Sequence, residues 1–213
     1  TMTRVLCLFR NLLLYTIVVL AAFLAVILAG IRLTDFSLFE TYANIMPLFC
    51  VIFPGMLLGN SWANANLAMS FGARRGACFW SLEIVSALIT LFFLAMAFAL
   101  SNLADSPEVS RIELQAVPVL AVGALSLVQV MLFASQLPKG FTRNLLWGGS
   151  WCVGWILGMA VEVVYLFEDA PAILRPVSLT SPLWLAVSVC FAVVGLVFGV
   201  LARRGMEKAV VQL

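Results

Sequence analysis

Residues 64–80, NANLAMSFGARRGACFW, place two adjacent arginines between two long apolar runs. Arg74 and Arg75 cannot lie unpaired in hydrocarbon, because a basic side chain at the centre of a bilayer costs roughly 2.5 to 3.5 kcal/mol. Aromatic residues flank the pair: Phe71, Phe79 and Trp80. Aromatic rings are typical of the headgroup region. We therefore expect an amphipathic segment at a membrane surface, with its arginines turned towards water or another protein.

Two interpretations of this stretch remain open. A solvated loop on the basic side of a membrane explains the arginines without any partner. A docking helix that receives force from another subunit explains both the arginines and the flanking aromatic residues. The sequence of this stretch alone does not distinguish the solvated loop from the docking helix.

The composition defines the class of protein. The chain has 213 residues, of which 64% are hydrophobic and 10% charged, with a mean hydropathy of +1.12. Soluble domains are about 45–50% apolar and about 25% charged. The sequence therefore predicts an integral membrane protein in contact with lipid. The net charge of +2, with basic residues scattered along the chain, gives no indication of nucleic-acid binding.

The residues required for common catalytic sites are missing from the sequence. The chain contains no histidine, which excludes Ser-His-Asp and Cys-His catalysis and histidine-ligated metal sites. Its five cysteines show no C-x-x-C spacing and read as small apolar residues. The phosphate-binding pattern G-x-x-x-x-G-K-[ST] is also absent. We expect no catalytic residue, cofactor or metal in this chain.

Six apolar runs are long enough to cross a membrane, because about 20 helical residues span its core of about 30 Å. The runs cover residues 12–30, 45–63, 82–103, 117–135, 145–167 and 182–202. A secretory signal peptide is the alternative for the first run, but its apolar core is usually only about 7–15 residues long. The prediction is an all-α polytopic protein with a single transmembrane domain over residues 1–213.

Basic residues in the short loops predict the orientation of the chain. Nine of the twelve fall on the side that holds both termini: Arg4, Arg10, Arg74, Arg75, Lys139, Arg143, Arg203, Arg204 and Lys208. Three fall on the other side: Arg32, Arg111 and Arg175. We therefore expect a multi-pass protein of the cell membrane with both termini in the cytoplasm.

Three G-x-x-x-G motifs lie in the apolar runs and predict close helix packing. They are Gly55–Gly59, Gly154–Gly158 and Gly195–Gly199. Packing within one bundle explains each motif, and a contact between two protomers is the alternative for one of them. The fifth run is the first choice for that contact, through Gly154, Gly158, Trp151 and Trp155.

A few polar residues lie within or beside the apolar runs, where they are costly and often mark a transport pathway. Glu162 lies near one end of the fifth run, and Asn60, Asn64 and Gln129 accompany other runs. Pairing with a nearby arginine such as Arg175, or snorkelling towards water, is the alternative for Glu162, and hydrogen bonds between helices are the alternative for the amides. At the start of the third run, we expect Glu83 to pair with Arg74 or Arg75.

The residues 67–75, LAMSFGARR, followed by Cys78 and Phe79, resemble the first cytoplasmic loop of bacterial ABC-transporter permeases of the six-span exporter type. In that family a similar Ser-x-Gly-x-x-Arg pattern joins the second and third spans. Gly72 and Arg75 match best, while Gly76 and Ala77 replace the polar pair expected there.

The resemblance implies a cytoplasmic coupling helix in the loop 64–80 that docks on a separately encoded ATPase. Its residues would be Phe71, Gly72, Arg74, Arg75, Phe79 and Trp80. ATP and magnesium would bind only to that partner. A second permease copy or homologue would complete the pathway.

The function expected is that of a permease subunit in an ATP-driven exporter of an amphipathic or hydrophobic substrate, working by alternating access. A secondary transporter or channel subunit without an ATPase partner is the alternative. Transport that persists without an ATPase would identify that alternative.

Overall fold

The computed structural model describes residues 50–55, 61–70, 72–103, 112–166 and 174–208. It also describes six helical positions near the start of the chain: Arg10, Leu14, Ile17, Val18, Ala21 and Ala25. Residues 50–55 are helical, and five helices whose bounds the structure describes follow them: α1 (Ser61–Ser70), α2 (Arg75–Leu103), α3 (Val117–Gln136), α4 (Phe141–Leu166) and α5 (Pro182–Lys208). A 3₁₀ turn, Leu114–Ala116, precedes α3. These described ranges contain no strand, so the predicted all-α class is confirmed there.

Four of these helices, α2 to α5, are long and apolar enough to cross a membrane. They correspond to the last four predicted runs, and α3 matches its run within one residue at each end. The first two predicted spans, 12–30 and 45–63, lie largely outside the described residues. The structure therefore supports a membrane-embedded protein with four spanning helices and does not test the other two.

The boundary between α1 and α2 differs from the prediction. The polar loop was expected to begin at residue 64, but α1 continues to Ser70. Gly72 then ends the helix with φ +82°, where its amide donates to the Met69 carbonyl at 2.9 Å and the next amide, that of Ala73, donates to the Ala68 carbonyl at 3.0 Å. This pair of bonds is a Schellman motif, which needs the left-handed conformation that glycine adopts without strain.

The expected coupling helix in the loop 64–80 is not confirmed. α2 begins at Arg75 and runs without interruption to Leu103. Its 29 residues extend about 43 Å at 1.5 Å per residue, which exceeds the hydrocarbon thickness of about 30 Å. Arg75 therefore begins a helix that projects beyond the hydrocarbon, and Arg74 directly precedes it; neither lies on a separate helix flat at the interface.

Hydrogen bonds between helix ends establish the direction of each span. Gln136 Nε2, at the end of α3, donates to the Ala202 carbonyl of α5 at 3.0 Å. Arg75, at the start of α2, donates to the Glu207 carbonyl at the end of α5. At the opposite end of the bundle, Arg175 Nη2, in the segment before α5, donates to the Val164 carbonyl near the end of α4 at 3.1 Å. α3 and α5 therefore run parallel, and α2 and α4 run antiparallel to them.

This arrangement gathers most of the described basic residues at one end of the bundle. They lie at the start of α2, in the α3–α4 loop, in the first turn of α4 and in the last turns of α5: Arg74, Arg75, Lys139, Arg143, Arg203, Arg204 and Lys208. Arg175 lies at the other end, where it donates to the Val164 carbonyl. We call the end of the bundle that holds these seven basic residues the basic end.

α3 is the central helix, and its longest contact is with α5. Glycines of α5 allow this approach: a Cβ at Gly195 would lie 3.0 Å from Ser126 Cα, and one at Gly199 would lie 3.2 Å from Gln129 Oε1. α4 packs on another side of α3, where Leu127 lies against Gly154. In lipid, such close van der Waals contact replaces the hydrophobic effect between helices.

We expect Gly195→Ala to lower the free energy of unfolding by about 1–3 kcal/mol, because its methyl group would lie 2.8 Å from Ser126 Oγ and 3.0 Å from Ser126 Cα, and the backbone atom cannot turn aside. Gly148→Ala is the matched control, since open space surrounds that position in α4 and alanine favours helix by up to about 1 kcal/mol. Denaturant unfolding in detergent micelles measures both. Equal stability of the two variants would contradict the packing described here.

We expect the basic end to face the cytoplasm, following the positive-inside rule. In a background with all cysteines replaced by serine, Thr180→Cys should react with a membrane-impermeant maleimide in intact cells. Thr142→Cys, exposed at the basic end, should react only after permeabilisation. The reverse labelling pattern would show the opposite orientation.

Candidate functional site: a lateral groove with a polar floor

A groove of about 860 Å³ opens between α2 and α5, with α3 forming its floor. We call it the lateral groove. α2 contributes Phe79, Trp80, Glu83, Ile84 and Ala87; α3 contributes Val122, Leu125, Ser126 and Gln129; α5 contributes Ala192, Gly195, Leu196, Gly199, Val200 and Arg203. The groove exists because α2 and α5 each pack on α3 but make only a short contact with one another.

The walls of the lateral groove are apolar and open. Trp80 and Ile84 on α2 are 55% and 40% exposed, and Leu196 on the facing wall of α5 is 72% exposed. Phe79 supports Trp80 through an edge-to-face ring contact with centroids 5.8 Å apart. Such walls suit an aliphatic or aromatic body rather than a hydrated ion.

The floor of the groove carries a buried polar pair. Gln129 Nε2 donates to Glu83 Oε2 at 2.7 Å, which joins α3 to α2. The second oxygens of both side chains, Glu83 Oε1 and Gln129 Oε1, are buried and accept no hydrogen bond from the described residues. Both of these oxygens therefore have unused capacity for a donor.

The charge of Glu83 has no cationic partner among the described residues. Arg203 lines the groove, but its Nε lies 3.1 Å from Glu207 Oε1 in an exposed ion pair. The expected pairing of Glu83 with Arg74 or Arg75 is not found, because Arg75 reaches the end of α5 instead. An uncompensated buried carboxylate costs several kcal/mol, so the site favours a proton or a cation.

The residues of the predicted coupling stretch divide into two groups. Gly72, Arg74 and Arg75 form an exposed turn at the basic end. Phe79 and Trp80 lie one helical turn further along α2, in the wall of the lateral groove. Phe71 lies outside the described residues. The turn and the groove are therefore connected by a single continuous helix.

Of the predicted pathway residues whose side chains the structure describes, Gln129 lines the groove and Glu162 does not. Glu162 is half-buried on α4 and does not line the groove. Asn64 belongs to α1, with only its backbone described, and Asn60 lies outside the described residues. The structure therefore brings Gln129 together with Glu83 and leaves Glu162 separate.

The residues predicted for dimer packing lie in two different environments: the glycines are buried and the tryptophans are exposed. A Cβ at Gly154 would lie 2.9 Å from Ile52 and 3.2 Å from Leu127, both of the same chain, and Gly158 is also buried. Trp151 and Trp155 are exposed by 37% and 48%. The glycines thus serve packing within the chain, and the prediction of a protomer contact on α4 depends on the tryptophans.

Sequence reasoning did not place Glu83 or Ser126 in a site. Glu83 was assigned to an arginine because it lies near the pair in sequence. Its hydrogen-bond partner in the structure is Gln129, because the antiparallel register of α2 and α3 places these two residues side by side. Ser126, one turn from Gln129, faces the Gly195 position of α5.

Comparisons with known proteins identify no relative of this chain. No protein-family model, no curated protein and no solved structure matches the sequence or the fold. The likeness to exporter permeases therefore rests on the residues quoted above. The function has to be argued from the groove and the turn.

If α4 forms the contact between protomers, truncating both Trp151 and Trp155 to alanine should raise the dimer dissociation constant about tenfold or more, because buried aromatic residues commonly dominate an interface. Analytical ultracentrifugation in detergent measures the change. Trp80→Ala, which truncates an exposed tryptophan outside α4, is the control and should leave the dimer unchanged. An unaltered dimer in the double variant would exclude this face.

Proposed function

We propose that the chain is the transmembrane permease subunit of an ATP-driven exporter of the ABC type, which moves an amphipathic substrate out of the cytoplasm. One observation carries the proposal: Arg75 joins the exposed turn before α2 to the Glu207 carbonyl at the end of α5. α2 and α5 are the two walls of the lateral groove. A force applied to the turn therefore acts on both walls together.

The turn has the properties of a docking surface. Gly72 is exposed, and Arg74 and Arg75 present two positive charges next to it. Arg204 and Lys208 add exposed positive charge at the same end of the bundle. A partner with an acidic groove is complementary to this surface, and such complementarity gives an interface its specificity.

The lever from this turn to the groove is rigid. α2 continues from Arg75 through Trp80 and Glu83, and apart from Gly76 in its first turn it contains no glycine or proline up to Leu103. A tilt of its projecting start therefore moves the groove wall as a unit. ATP would bind to the partner subunit, since this sequence has no phosphate-binding loop.

A second candidate function is an ion-coupled carrier that needs no ATPase. Glu83 favours it, because a buried carboxylate without a cationic partner in the described residues can take up and release a proton. Transport by the purified chain alone in proteoliposomes, driven by a pH gradient, would support this carrier and contradict the exporter.

The test of the exporter uses Arg74→Glu, because Arg74 is exposed and the Arg75 bond within the chain stays intact. Reversing its charge should abolish co-purification with the cognate ATPase and lower substrate-stimulated ATP hydrolysis tenfold or more, since like charges at a contact cost several kcal/mol. Lys139→Glu makes the same charge change at the same end, in the α3–α4 loop, and should leave both unchanged.

Thiol labelling of Thr180→Cys in each variant verifies that the orientation is preserved. Loss of binding in Arg74→Glu but not in Lys139→Glu assigns the docking surface to the turn. Equal behaviour of both variants, or the lack of any co-purifying ATPase, would overturn the exporter proposal.

A further inference from the structure

We propose that the lateral groove binds an amphipathic molecule with a primary or substituted ammonium head, held at Glu83 and Gln129, and an aliphatic body along α2 and α5. The transport of this molecule rests on the proposed function, whereas its binding is a property of this chain alone.

The head group follows from the hydrogen-bonding capacity of the floor. Glu83 Oε1 and Gln129 Oε1 are both acceptors, and neither receives a hydrogen from the described residues. Gln129 Nε2, the donor of the pair, is already engaged with Glu83 Oε2 at 2.7 Å. Both oxygens are covered in this conformation, so a ligand that brings donors and a positive charge reaches them when either side chain turns towards the groove, and it then compensates the carboxylate.

The sign of the charge follows from what surrounds the groove. Arg203 is the one cationic side chain among the described lining residues, and Glu207 pairs with it at 3.1 Å. Its charge is therefore balanced, while that of Glu83 is not balanced by any described residue. A cationic head is attracted to Glu83, and an anionic head is repelled from it.

The exposed apolar side chains of the groove walls indicate an aliphatic body for the ligand. Trp80, Ile84, Leu196 and Val200 present exposed apolar surface on both sides of the floor. The volume of about 860 Å³ lies in the range of about 300–1,000 Å³ that is common for ligand sites. A single aliphatic chain of ten to twenty carbons, on the order of a lipid tail, suits a groove of this size and openness.

The ligand enters the lateral groove from the membrane rather than from bulk water. Glu83 lies about two helical turns inside the start of α2, on a helix segment apolar enough to span a bilayer. Because the walls are open to the side, a molecule already partitioned into the leaflet can enter with its head near the basic end. The length of the wall then accommodates its chain.

The experiment uses the full chain in lipid nanodiscs, without any ATPase. The probe is dodecylamine with a photoactivatable diazirine on its tail, and the two comparison probes carry the same tail on an alcohol and on a sulfate. We expect the amine to label peptides of α2 and α5 at least tenfold more efficiently than the alcohol, and the sulfate to label them least. Mass spectrometry of the photolysed protein measures the labelling.

Glu83→Gln keeps an acceptor for Gln129 Nε2 but removes the charge, so it should abolish the preference for the amine over the alcohol. Glu162→Gln is the matched control: it removes the other half-buried carboxylate of the described spans, which lies outside the groove, and should keep the preference. Ala87→Trp should lower labelling by all three probes, because it fills the groove from α2.

Equal labelling by amine and alcohol in the native protein, or a preference that survives in Glu83→Gln, would overturn the proposal. Preferential labelling by the sulfate would assign the groove to an anionic lipid headgroup at Arg203 instead, which also refutes it. Because no ATPase is present, a negative result here leaves the Arg74→Glu test of the exporter standing, and a failed ATPase test leaves this binding result standing.

Discussion

The close approach of α3 and α5 is the constraint on which the other helices depend. Lipid tails are as apolar as leucine, so two helices in a membrane gain little from hydrophobicity and associate through tight contact and hydrogen bonds. Gly195 and Gly199 bring the α5 backbone against Ser126 and Gln129, and Gln136 adds a hydrogen bond to α5 at the basic end. A methyl group at Gly195 would separate the two backbones along this contact.

The lateral groove is a consequence of that packing. α3 is largely covered by α5 on one side and by α4 on another, so α2 packs beside α5 with little contact between them. The space left between α2 and α5 has apolar walls, yet its floor is the polar pair of Glu83 and Gln129. The same amide of Gln129 lies against Gly199. Helix packing and the polar site are therefore built from shared residues, and a change in one affects the other.

The turn at the basic end gives the groove a mechanical connection to the membrane surface. Gly72 stops α1 in a left-handed conformation, α2 begins at Arg75, and the Arg75 side chain reaches the last turn of α5. A carbonyl at a helix C-terminus lacks a partner within the helix and carries partial negative charge, so an arginine there is favourable. Both groove walls end at this point, which makes the turn a suitable place for a partner to act on them.

Hydropathy and loop charge alone determined the membrane class, the last four spans and the grouping of basic residues at one end, because these follow from local composition and the length of a bilayer. The turn at Gly72 was also visible as a polar break, although its helical flank was not. Only the tertiary structure decided that Glu83 pairs with Gln129 rather than with an arginine, and that Gly154 packs inside the chain while Trp155 stays exposed. Those outcomes depend on the register and rotation of one helix against another, which the pattern of apolar residues in a nearly uniform hydrophobic span does not specify.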